Sequence, residues 1–174
     1  MSESKQREYK RATVAKKLPE LMRRVMRLND ESEHPDFVYK VEELIIFGSF
    51  VNTDNEKIHD LDIGIKLIPK DKYVHLSSED LQHISYRRAV EANITDMILQ
   101  SFWLEEEVLR YLKNKSGIYS FHPADEKNGE GVVISKSKAH VVMVTKGEVT
   151  EDAKSILRGE IEARVLAQLR ETDV

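Results

Sequence analysis

The chain of 174 residues has no cysteine, only four prolines and one tryptophan. Lacking Cys, it has no disulfide framework, no Cys-ligated zinc or iron–sulfur cluster and no thiol nucleophile. No apolar run approaches the roughly 20 residues of a membrane helix. The opening Met1-Ser2-Glu3-Ser4-Lys5 has no apolar signal core. These absences point to a soluble, cytoplasmic protein without a membrane partner. The six His form no HxxxH pair, so a helical zinc site has no support. There is no internal repeat and no low-complexity tract. What is present fits one ordinary globular domain, with 33% charged and 40% hydrophobic residues.

Net charge is only −4, but it is unevenly spread. Met1 to Leu28 holds nine basic residues (Lys5, Arg7, Lys10, Arg11, Lys16, Lys17, Arg23, Arg24, Arg27) against three acids. Residues 1–30 therefore read as a basic helical arm, and 31–174 as the body. Such an arm suits nucleic acid or another polyanion. The plainer explanation is a solvated helix face, or an arm lying on the acidic body.

Val14, Leu18, Leu21, Met22, Val25 and Leu28 recur at helical spacing. Pro19 lies inside that pattern and either opens a helix near Leu18 or kinks one. Leu44-Ile45-Ile46-Phe47 is a short apolar run ending at Gly48, as in a buried strand. Leu61, Ile63, Ile65 and Leu67 alternate with Asp60, Asp62, Gly64 and Lys66, the clearest strand of the chain. Ile68 to His75 reads as a loop. Ser77 or Ser78 caps a helix. The apolar signal continues through Leu112, as one helix or as two separated by a cap at Asn93 or Thr95. Gly117–His122, Val132–Ser135 and His140–Thr145 are further strand candidates. Thr150 caps a last helix with Ile156, Leu157, Ile161, Val165 and Leu169 on one stripe.

Asp60 and Asp62, two apart on a strand, point to one face and repel each other. A divalent cation resolves the conflict, and hard oxygen donors suit Mg²⁺ or Mn²⁺. The Gly48-Ser49 turn at the end of a neighbouring strand offers close backbone approach and a hydroxyl for a phosphate. Carboxylates that bind metal beside such a turn are what nucleotidyl or phosphoryl transfer requires. Lys66 shares the acidic face and either contacts a nucleotide or neutralises the aspartates. His59 is a weaker phosphate candidate. Taken singly, an Asp-x-Asp is a solvated strand face and a Gly-Ser a turn. Their combination, with the ten residues from Phe50 to His59 between them, is what distinguishes this segment.

Phe47-Gly48-Ser49, that spacer, and Asp60-Leu61-Asp62-Ile63 together resemble the signature of the polymerase-beta-type nucleotidyltransferase superfamily, in particular its minimal members. The resemblance implies an α+β fold, a mixed β-sheet flanked by helices, over 31–174. It implies NTP as substrate, with Gly48 and Ser49 on its phosphates, and Asp60 and Asp62 holding Mg²⁺ (or Mn²⁺) at the α-phosphate. The acceptor, whether small molecule, protein or RNA, is left open. An alternative within the same fold is a catalytically weak or inactive module that binds a nucleotide, a protein partner or a second copy, as in a toxin–antitoxin pair. Phe50-Val51-Asn52-Thr53 departs from the Arg- and Gly-containing stretch of many members. A third carboxylate is expected on a later strand. Its place near Val142 is apolar and the other strand candidate, Ile118 to His122, has no acid, which leaves Asp125 and Glu126 just after that strand as candidates.

Overall fold

In the computed structural model, residues 7–126 and 139–172 are described. They form seven α-helices, a five-stranded mixed sheet and a two-stranded ribbon, an α+β fold as expected. The candidate strand Val132–Ser135 lies outside the described residues.

The main sheet has β2 (Tyr39–Phe47) at its centre, bonded antiparallel to β4 (Leu61–Pro69) on one side and to β6 (Val141–Thr145) on the other. That position explains its uninterrupted apolar run. Leu44, Ile45 and Ile46 are all fully buried, because a central strand is covered on both faces. β5 (Tyr119–Pro123) runs parallel to β4 at one edge, and β7 (Glu148–Val149) closes the other. A parallel neighbour needs a crossover, and three helices supply it: α3 (Ser78–Glu91), α4 (Met97–Ser101) and α5 (Trp103–Lys113).

The core occupies one face of the sheet. Leu61, Ile63 and Ile65 of β4 meet Leu44 and Ile46 of β2 and the apolar side of α1 (Arg11–Asn29). All six apolar residues of the predicted helical stripe, Val14 to Leu28, are buried there. α1 thus lies on the body and shares its core. Asn29 fixes its end, donating to Val41 O at 2.9 Å and accepting from Val41 N at 2.8 Å, as a neighbouring strand would. Pro19 sits within this one continuous helix. The opposite face carries a smaller cluster, Ile45 and Ala124 with Phe47 and Val142.

The predicted caps at Ser77 and Thr150 are present, Ser77 in a reciprocal capping box with Asp80. Three boundaries differ from expectation. The second cap of the α3–α5 region is Asp96, whose carboxylate accepts from Ile98 and Leu99 N; Asn93 instead ends the previous helix at positive φ. β4 runs on to Pro69, two residues into the expected loop. The C-terminal stripe is split into α6 (Glu151–Leu157) and α7 (Ala163–Thr172), with Gly159 left-handed between them. No helix among the described residues is long and apolar enough to cross a membrane.

Candidate active site

β2 ends at Phe47, directly opposite Asp62 of β4. Gly48 follows at φ 73°, and α2 (Ser49–Asn52) turns the chain away. A β-carbon at Gly48 would stand 2.2 Å from Asp62 Oδ2 and 3.0 Å from its carboxyl carbon. Only glycine suits both the backbone angle and the space. The predicted turn and Asp62 of the predicted acid pair are therefore packed against each other at one end of the sheet.

The Asp62 carboxyl is raised above its ordinary range, first by burial and then by the negative charge of Asp60. His122 works in the opposite direction. Its Nε2 lies 3.4 Å from Asp62 Oδ1, and its Nδ1 lies 3.2 Å from Glu126 Oε2. Its ring also meets the Phe47 ring edge-on at 5.5 Å. The register explains the meeting, since Ser120 is paired with Asp62 and His122 with Gly64 across the parallel β4–β5 ladder. Ser120 Oγ and His122 Nε2 are 3.1 Å apart. Ser120, His122 and Glu126 thus occupy the flank where a third carboxylate was sought.

The other expected residues fall elsewhere. Val142 is paired with Ile45, on the side of β2 away from β4, so its strand does not flank Asp62. Asp125 is exposed, and its charge acts on Lys66. Lys66 Nζ is 2.6 Å from Glu42 Oε2. It sits four residues beyond Asp62, about 13 Å along the strand. Its partner is Glu42, not either aspartate. His59 Nδ1 faces Arg7 O at 3.3 Å. Among the described residues, no three or more His, Asp or Glu are grouped as a preformed metal site.

The basic helix spends much of its charge internally. Arg24 donates to Leu112 O at 2.9 Å, while Lys17 and Arg27 pair with Glu20 and Glu33. Arg11 binds the loop after Gly48. A cavity of about 850 Å³ lies between α1, α2 and the α6–α7 region, lined by Leu18, Phe50, Ile161 and Arg164 among others. None of Gly48, Ser49, Asp60 and Asp62 lines it.

No protein-family model, curated protein or solved structure matches this chain.

Sequence reasoning missed His122, Ser120 and the use of Arg11. Ser120-x-His122 alternates like Asp60-x-Asp62, which was a usable signal for a shared face. Only the β4–β5 register shows that the two faces are adjacent. Arg11 offered no signal, since its partners are 38 to 44 residues away.

Proposed function

We propose that the protein is a divalent-metal-dependent nucleotidyltransferase. It transfers a nucleoside monophosphate from an NTP to an acceptor hydroxyl or phosphate and releases pyrophosphate. The observation that supports this reading is the close contact of Gly48 with Asp62, which sets the Gly-Ser turn against one of the two aspartates. The donor set fits Mg²⁺, which is held by one or two carboxylates plus substrate phosphates rather than by an all-protein cage. Asp60 and Asp62 are those carboxylates, and burial beside a like charge leaves Asp62 short of a cation.

When bound, the ion supplies charge neutralisation at the reacting phosphate. The chain's own contribution is positioning. Gly48 lets phosphate oxygens approach the backbone. The Ser49 hydroxyl donates to one of them. Asp60 and Asp62 fix the ion, with His122 and Phe47 packed alongside. Lys66 takes no part in this reading, because Glu42 holds its ammonium.

The test incubates the protein with α-labelled NTPs, Mg²⁺ or Mn²⁺ and candidate acceptors. The wild type transfers label, and an Asp60→Ala, Asp62→Ala double variant does not. Transfer unaffected by that double substitution refutes the assignment.

One observation favours a second reading, a weak or inactive nucleotide-binding or partner-binding module of the same fold. Ser120 and His122 stand directly beside Asp62, and the carboxylate of Glu126 lies on the far side of the His122 ring. Metal-dependent nucleotide binding in a calorimeter with no transfer to any acceptor selects this reading. No nucleotide binding at all counts against both.

A further inference from the structure

α2 is four residues long, too short to hold its own shape in water. Its last carbonyls have no continuing helix to satisfy them. Arg11, the first residue of α1, supplies donors to Phe50 O, to Ser49 O (which also accepts from Thr53 N and Thr53 Oγ1) and to the loop that follows. Its guanidinium donates to Phe50 O at 2.6 Å, Thr53 O at 2.6 Å, Asn55 O at 2.9 Å and Ser49 O at 3.2 Å. It also reaches Thr53 Oγ1 at 3.3 Å and lies over the Phe50 ring at 5.3 Å. The backbone N–H of Arg11 donates to Glu56 O at 2.7 Å. Just before it, β1 (Tyr9–Lys10) pairs with β3 (Lys57–Ile58). The loop between the two sequence motifs is therefore held by the Arg11 side chain and a two-residue ribbon, with Arg164 paired to Asp54 as well.

We propose that Arg11 is a positioning residue for the Gly48–Ser49 turn. A planar fork with five N–H donors is the side chain that can satisfy several converging carbonyls at once. Two of those carbonyls lie in α2 and two in the segment just after it, so their joint capture fixes the direction of α2 and with it where the Ser49 hydroxyl stands relative to Asp62. The consequence for nucleotide binding rests on the proposed function; the ordering of the turn does not. A basic residue that looks from the sequence like part of a polyanion-binding arm is, on this reading, a component of the site's scaffold.

The experiment compares Arg11→Gln, Arg11→Lys and the control Arg24→Gln. The control removes another inward-bonded arginine of the same helix, one whose bonds go to Leu112 O and the Tyr119 hydroxyl and not to the turn. Amide hydrogen exchange is followed at Thr53, whose N–H donates to Ser49 O, and at Ile63 in the core strand. Mg²⁺–ATP affinity is measured by calorimetry. In Arg11→Gln the Thr53 amide exchanges about tenfold faster or more, with Ile63 unchanged, because local opening is decoupled from global stability. Affinity for Mg²⁺–ATP falls about tenfold. Arg11→Lys, which keeps the charge but not the fork, is intermediate and covers the case in which the Gln variant folds poorly. Arg24→Gln leaves both readouts at wild-type values. Unchanged Thr53 exchange in both Arg11 variants, or an equal rise in Arg24→Gln, overturns the proposal. A wild type that binds no nucleotide overturns the proposed function, while the exchange data still decide the role of Arg11.

Discussion

The outer face of β4 carries two charged sites, and their environments are opposite. At one end Asp62 is half-buried beside Asp60, against a glycine that leaves no room for a side chain. At the other end Lys66 is 57% exposed and meets Glu42 at 2.6 Å. At the Lys66 end the ammonium has a carboxylate partner in direct contact and further acids, Glu43 and Asp125, near it. The Asp62 end holds two carboxylates against one imidazole, itself shared with Glu126. A fold keeps like charges together at the cost of stability where a ligand supplies the missing charge, as at functional sites generally. Same strand, same face and similar polarity thus have different physical meanings, separated by what the neighbouring strands bring.

The largest expected effect comes from Gly48→Ala. The new methyl meets Asp62 Oδ2, and the backbone stands at a left-handed angle that alanine disfavours. Strain of this kind costs about 1–3 kcal/mol. Urea denaturation should show a midpoint lowered accordingly, with nucleotide binding lost because Asp62 must move. An unaltered midpoint would mean that the turn and the acid pair are not packed as described, and the contrast between the two ends would collapse.

Asp62→Asn should act in the opposite direction on stability. Its folded-state carboxyl is raised by burial and by Asp60, so ionised Asp62 costs stability above that raised value. In metal-free protein the Asn variant therefore melts higher than wild type at pH 7. The gain shrinks as pH falls through the raised value and disappears near the unfolded-state value of 3.8. Thermal melts across that window measure it, with metal-dependent nucleotide binding lost in the same variant. A variant less stable than wild type at pH 7 would show that His122 outweighs burial at this site.

Much of this was legible beforehand. The alternation from Asp60 to Leu67 and the apolar run into Gly48 gave both strands and the turn, because burial imposes period two or an unbroken run on a strand. The two caps at Ser77 and Thr150 were readable from short-range chemistry. What stayed hidden depends on pairing between distant segments. Nothing local says whether β5 or β6 lies beside β4, so both strands are open from the sequence, and only the pairing puts Ser120 and His122 rather than Val142 at the flank of Asp62. The split at Gly159 was visible as a glycine, yet the apolar stripe ran through it. Arg11 counted as surface charge until the fold supplied four carbonyls for it.

The smallest expected effect separates the two ends most sharply. Lys66→Met removes the partner of Glu42 but touches neither Gly48 nor the aspartates. Lys66 is more than half exposed while Glu42 Oε2 is buried, so the variant's urea midpoint should fall, but by less than that of Gly48→Ala. Its affinity for Mg²⁺–ATP should match wild type, since about 13 Å of strand separates it from Asp62. An affinity lowered about tenfold would instead place the Lys66 ammonium on the nucleotide, released from Glu42 on binding. The two ends would then be one extended site.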